Sequence, residues 1–351
     1  MRTIISALLF LSIFPVAFAH HSTFGFYEAD RVVEIEGTVT AVAWRNPHTL
    51  ITVSVENGDR ESEEWRIETG AISVLRTRGL AREFLEPGDR IKVAGDPSAR
   101  GLRDIFGHNI LLEDGREVLL TVFSEPRWTG GGSGRFLEAE YSESVTQAAL
   151  GSAEGIFRVW STVLGDSDSF PILGEGSGQD YPLTESARMA RDAWNSQDRT
   201  QLGCPAKGML LMMNTPLPIA LVREGTNIVI RLEELDAERL IHMDEDQVDR
   251  PEELSLSGYS TGRWEGNTLV VETSNVDYDV FDGAGTFQST AISFVERFTL
   301  SDDEDRLDYA VTVTDPQTFT EPFGLSRYWI WRPEMELRPY ECDDRTEYYD
   351  E

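Results

Sequence analysis

Residues 32–68 read VVEIEGTVTAVAWRNPHTLITVSVENGDRESEEWRIE, and their order decides the fold of the first third of the chain. Val32 to Trp44 alternates around Gly37, where a barrel strand bends because glycine puts no side chain in the way. Asn46 and Pro47 end that strand. A second strand from Thr49 to Val55 closes on Asn57-Gly58, the strongest short hairpin signal, since both central positions of such a turn favour positive φ. Its partner, Glu63 to Glu68, carries Trp65 and Ile67 on one face. Working outward, a short helix is expected from Ala71 to Arg78, stopped by Gly79. The turn Glu86-Pro87-Gly88-Asp89 leads into a strand over Arg90 to Gly95, and a loop through Asp96 to Arg103 leads into a strand around Phe106 to Leu112. Three strands, a helix and two strands is the order of an OB-fold, so residues 20–123 read as an OB-like barrel domain.

Upstream, residues 1–19 read as an export signal: Arg2, the apolar run Ile4 to Phe18, and the small-x-small triplet Ala17-Phe18-Ala19. The run is short for a spanning helix, which needs roughly 20 apolar residues. A cut after Ala19 is preferred, because a cut after Ala17 puts Pro15 where a small residue is wanted. His20 then becomes the first mature residue, and its free amine and imidazole offer a metal two nitrogens. The expected location is periplasmic or secreted, and no later segment reads as a membrane helix. Two cysteines, Cys204 and Cys342, in a chain bound for an oxidising compartment point to a disulfide. Neither sits in a CxxC motif, which argues against a redox-active pair or a zinc ribbon.

The chain has 62 acidic and 31 basic residues, and losing Arg2 takes the formal charge from −31 to −32. Such a surface repels nucleic acid phosphates and anionic headgroups. Lys92 and Lys207 are the only lysines, so the positive charge is almost all arginine.

Residues 124–154, with Gly130, Gly131, Gly132 and Gly134, read as a flexible linker. Residues 155–351 read as a second β-domain. It opens with an apolar strand, Ile156 to Trp160, and carries one amphipathic helix from Glu185 to Asn195, capped by Thr184 and burying Met189, Ala190 and Trp194. The strands expected are Ile219 to Arg223, Asn227 to Glu233, Arg239 to Met243, Leu269 to Thr273, Ala291 to Leu300, Arg306 to Thr314 and Arg327 to Trp331. Their spacing suits an antiparallel meander, closed as a barrel or folded as a sandwich. The fold class is therefore mainly β, with one or two short helices.

The opening His20-His21-Ser22, the string Gly37-Thr38-Val39-Thr40 with Asn46-Pro47-His48, and the stretch from Gly262-Arg263-Trp264-Glu265-Gly266 to Val271-Glu272-Thr273 resemble a group of uncharacterised secreted bacterial proteins. The resemblance covers most of the mature chain and implies a fold and a compartment. Members of that group often carry a histidine where this chain has Leu256, Ser257 and Gly258, so no role for that histidine carries over.

Four of the five histidines, His20, His21, His48 and His108, fall in the first domain. His48 lies just past the loop joining strands one and two, and His108 just past the loop joining strands four and five, which border one rim of an OB-fold. A tail of about ten residues reaches roughly 30 Å, so all four imidazoles can meet there and hold copper, with nickel or zinc as weaker fits. The other reading makes His48 a turn residue, His108 a packed strand residue and His20-His21 a frayed end.

In the second domain, Val229, Arg231 and Glu233 alternate with Ile228, Ile230 and Leu232. His242, Glu272 and Glu296 lie on later strands, and Trp264 and Tyr309 offer aromatic walls. These residues line a cavity for a small apolar or amphipathic ligand if the domain is a wide barrel, or form a solvated outer face if it is a sandwich. There is no GxSxG, HExxH, Walker loop or dinucleotide fingerprint. The sequence thus reads as a binding protein, with a competing enzyme reading in which Glu233, Glu272 or Glu296 is a general base and Arg231 its charge partner.

Overall fold

β1 (Val33–Ala43), β2 (Leu50–Glu56) and β3 (Ser62–Glu68) form an antiparallel meander in the computed structural model. The structure describes residues 26–29, 31–56, 62–129, 143–173, 180–194, 204–244 and 253–343. Residues 1–19, read as an export signal, together with His20, His21, Asn57-Gly58 read as a turn and the glycines within 130–134 read as linker, lie outside the described residues.

After α1 (Ile72–Thr77) come β4 (Arg90–Pro97) and β5 (Asp104–Leu112). β4 pairs with β1, and β5 lies between β4 and β3, parallel to β3 through Arg66, Ile67 and Glu68 opposite Asp104, Ile105 and Phe106. The cyclic order β1-β2-β3-β5-β4 closes the five-stranded OB barrel, and β6 (Glu117–Leu119) extends the sheet from β5. Gly37 sits where strands approach closely, since a Cβ there would meet the Ser54 carbonyl oxygen at 2.5 Å. The β1–β2 register then slips between Val39 and Ala41, the kind of irregularity that lets a strand coil around a small barrel. Ile51, Val53, Ile67, Val93 and Ile110 fill the interior, and Leu75 of α1 packs into the same cluster.

The second unit is a closed barrel of nine strands: β7 (Val159–Ser161), β8 (Ile219–Glu224), β9 (Asn227–Leu232), β10 (Ala237–His242), β11 (Tyr259–Glu265), β12 (Thr268–Ser274), β13 (Ser293–Leu300), β14 (Arg306–Thr314) and β15 (Phe323–Trp331). Neighbours pair antiparallel except β10 and β11, joined in parallel through two residue pairs. Periodicity alone does not mark β11, because Gly262 interrupts it. A Cβ on Gly262 would meet the Ile241 and Met243 side chains at 2.6 Å, so the glycine lets β10 and β11 lie together.

Two helices differ from expectation. α2 (Glu143–Ser152) occupies the stretch read as linker and buries none of its residues. α3 (Glu185–Ala193) begins at Thr184, whose Oγ1 accepts from Ala187 N, but it does not bury the residues assigned to its apolar face. Met189 is 67 % exposed, Ala190 is exposed and Trp194 half-buried, because this short helix meets the barrel core through Ala187.

The barrels meet over α1. Ala71 and Val74 pack with Leu217 and Tyr340, and the Ser73 hydroxyl donates to Glu233. The disulfide expected from the cysteine count joins Cys204 to Cys342, with Cα atoms 6.4 Å apart. No helix among the described residues is long and apolar enough to cross a membrane.

Candidate functional site

Phe106 is the centre of one row across the OB wall, with Glu68 on β3 and Asp96 on β4 as its register partners. Partners in register share a face of the sheet, so a carboxylate flanks the ring on each side. His108 follows two residues along β5 on that face, and His48 comes from the connection between β1 and β2. Both imidazoles stand edge-on to Phe106, at centroid distances of 6.3 and 5.9 Å. The structure therefore brings His48 and His108 to one face.

Their hydrogen bonds fix which nitrogen is open. His48 Nδ1 lies 2.7 Å from the Thr69 carbonyl oxygen and 3.5 Å from Glu68 Oε1. A carbonyl only accepts, so in the neutral ring Nδ1 carries the proton and Nε2 keeps its lone pair. His108 reverses the assignment. Its Nε2 lies 3.1 Å from Asp96 Oδ2, which leaves the lone pair on Nδ1. An oxygen acceptor behind an imidazole is the arrangement that orients a histidine toward a metal. The two side chains are 28 and 30 % exposed, so both remain reachable. Asp96 Oδ1 is buried with no hydrogen-bond donor among the described residues.

The chain enters the described structure at this same face. Phe26 O accepts from Ala99 N at 2.8 Å, and Glu28 N donates to Pro97 O at 2.9 Å. Between them, the Tyr27 hydroxyl donates to Glu68 Oε2 at 2.7 Å while its ring packs 5.6 Å from Phe106. Glu68, the carboxylate facing His48, thus also anchors the incoming tail. His20 precedes Phe26 by only six positions, a reach of roughly 20 Å when extended. Among the described residues no group of three or more His, Cys, Asp or Glu side chains is placed to hold a metal.

Over residues 9–106 the chain is similar to a family of unknown function, DUF6152, whose model matches that stretch. The match spans His20, His21, His48, Glu68 and Asp96, and ends at Phe106. No curated protein matches the chain.

Among the described residues the candidates in the second barrel are dispersed, except that Glu296 and Tyr309 meet inside it. Arg231 points outward, exposed, between Glu224 at 2.7 Å and Glu238 at 2.9 Å. Glu272 is exposed and held by Arg263 at 2.6 Å. Trp264 is 45 % exposed and edge-on to Phe157, and His242 stacks on Tyr259 at 4.8 Å. Glu233 is buried at the junction between the barrels, where burial raises its pKa against the opposing pull of the Ser73 hydroxyl and the Arg338 N–H. The reason is the face chosen by β9: Ile228, Ile230 and Leu232 pack into the barrel core and turn Arg231 out.

An ion pair inside the barrel joins Glu296 of β13 to Arg239 of β10, which alternation with Ile241 places on the inner face. Arg239 Nη1 donates to Glu296 Oε1 at 2.8 Å, and Nη2 bonds Oε2. The Tyr309 hydroxyl adds a bond to Oε1 at 2.9 Å, and Ser260 and Thr273 accept from the guanidinium at 3.1 and 2.6 Å. Burial alone would lower the Arg239 pKa, and Glu296 more than offsets it. Burial and then the Glu296 charge push the Tyr309 phenol well above its ordinary value. Phe298 and Trp329 pack against the Tyr309 ring, with centroids 5.0 and 5.4 Å away. A groove of about 930 Å³ lies instead over β13 to β15, bordered by Phe123 and Ile172, with Arg306 stacked over Tyr328 at 4.0 Å.

Proposed function

We propose that the chain is an exported binding protein that holds one divalent transition metal, copper(II) first, between its amino terminus and the face bearing His48, Phe106 and His108. The observation that carries this reading is the double use of Glu68, which stands behind His48 and also anchors Tyr27, so that the tail starts beside an oriented imidazole. The described residues supply two imidazoles, those of His48 and His108. The terminal amine and ring of His20, with His21 beside it, would complete a nitrogen-rich set, which suits Cu(II) ahead of Ni(II) or Zn(II). Export is supported by the signal-like residues 1–19 and by the Cys204–Cys342 disulfide, a bond that forms in an oxidising compartment.

Calorimetric titration of the mature chain with Cu(II) is expected to show one tight site that weakens as pH falls, because protons compete for a terminal amine with an ordinary pKa near about 8. An extra alanine ahead of His20 should weaken it strongly. Equal affinity in that variant would remove His20 from the site.

For the C-terminal barrel, the groove over Tyr328 is the place offered to a small amphipathic ligand, since the inner face carries Ile228, Ile230, Leu232 and the buried Arg239–Glu296 pair. Gly324 borders this groove and has room for a side chain. Native mass spectra of protein taken from the periplasm are expected to carry a bound small molecule that Gly324→Trp abolishes. A wild-type spectrum without added mass would remove this part of the proposal.

A further inference from the structure

We infer that the C-terminal tail is a redox-released strap that positions His48: the Cys204–Cys342 disulfide keeps residues 338–343 on Asn46, and reduction by an exported dithiol frees them. The inference rests on the reading of the His48 face as a ligand site and concerns the regulation of that site.

The tail is held at three places. Arg338 N donates to Glu233 Oε2 at 3.2 Å, and Tyr340 N donates to Asp236 Oδ1 at 3.1 Å. Tyr340 is buried against Ala71, Val74 and Leu217, and its carbonyl accepts from the Asn46 side chain. Asp343 N donates to the Asn46 carbonyl at 3.0 Å, next to a parallel bridge between Asn46 and Cys342. Asn46 is itself buried, and its Oδ1 accepts from Ile72 N at 3.1 Å. His48 follows two residues later, and Thr49 N is fixed on Gly70 O at 3.3 Å. The backbone carrying the imidazole is therefore clamped on both sides, and the tail supplies one of the clamps.

Cys342 is exposed while Cys204 is half-buried, so Cys342 is the cysteine assigned to attack by an incoming thiolate. Its attack forms a mixed disulfide with Cys342 and releases Cys204, which takes up a proton. The second thiol of the reductant then resolves the mixed disulfide, frees Cys342 and leaves as the oxidised dithiol, so two electrons and two protons pass to the protein.

The test compares the metal-free oxidised chain with chain reduced by dithiothreitol and alkylated, and with the Cys204→Ser, Cys342→Ser double variant. Release of the strap should speed hydrogen exchange at the Tyr340 and Asp343 amides by roughly tenfold or more. It should also move the His48 ring resonances while leaving those of His108 in place. Unchanged exchange and unchanged His48 resonances would overturn the inference, and so would collapse of the whole far-UV dichroism, because the disulfide would then be a global staple. Ni(II), which thiols do not reduce, is added last and should bind the released chain roughly tenfold more weakly. Equal affinity in both forms would break the link between strap and site. Absence of Ni(II) and Cu(II) binding in either form would instead overturn the proposed function and leave the metal-free result standing.

Discussion

Replacing Arg239 with methionine is expected to destabilise the C-terminal barrel by about 3–5 kcal/mol, the cost of stranding a buried charge without its partner. Both side chains of the Arg239–Glu296 pair are at most 1 % exposed. Without the guanidinium, the Glu296 carboxylate keeps the hydroxyls of Tyr309 and Thr273 as its donors. Two hydroxyls satisfy lone pairs but do not cancel a charge held away from water. Removing both charges, as Arg239→Met with Glu296→Leu, should recover most of the loss, because an apolar pair of similar volume carries no desolvation penalty. Arg231→Met is the control on the outer face and should stay within about 0.5 kcal/mol of wild type. Urea unfolding followed by tryptophan fluorescence compares the three. Equal losses for Arg231→Met and Arg239→Met would contradict the assignment of inner and outer faces.

A second large effect is expected at Glu117, where Glu117→Ala should cost about 3 kcal/mol by removing several charge-assisted hydrogen bonds from a buried site. Glu117 Oε1 accepts from Asn109 Nδ2 at 2.7 Å and Arg127 N at 2.6 Å. Oε2 accepts from the backbone N–H groups of Trp128 and Thr129 at 3.0 and 2.9 Å and from the Thr129 hydroxyl at 2.8 Å. One carboxylate thus pins residues 127–129 to the OB barrel. Burial acts to raise its pKa, but these donors outweigh burial and hold it below the ordinary value. A folded-state pKa below the unfolded one gives stability that is complete above the ordinary glutamate value and is lost as pH falls through the lower folded value. The cost of Glu117→Ala, read from urea unfolding, should accordingly be full at pH 7 and shrink in acid. A cost that grows as pH falls would show that the carboxylate is not the anchor.

The OB barrel was legible because its signals are local. The glycine at the close strand approach, Gly37, and the helix before Gly79 are each set by residues within a few positions, and the order of strands and helix names the topology. The row Glu68, Phe106 and Asp96 was not legible, because it depends on parallel pairing of β3 with β5, thirty-eight positions apart. Sequence placed His48 and His108 at one rim but had no means of finding the carboxylates behind them. In the second barrel Glu296 and Tyr309 were singled out with the wrong cation. Arg239 shares the face of Ile241, a signal as readable as the one that drew attention to Arg231. Its partner lies 57 residues away on a strand that is not its neighbour. The disulfide followed from composition and compartment, whereas the clamp it places on Asn46 depends on how the two barrels meet.

Electron paramagnetic resonance of the chain prepared to begin at His20, the start proposed for its exported form, and loaded with one equivalent of Cu(II), tests the proposed metal site most directly. The proposal predicts a tetragonal, nitrogen-rich signal that loses one imidazole coupling in either His48→Ala or His108→Ala and changes when an alanine precedes His20. A spectrum identical in the wild type and in all three variants would contradict it.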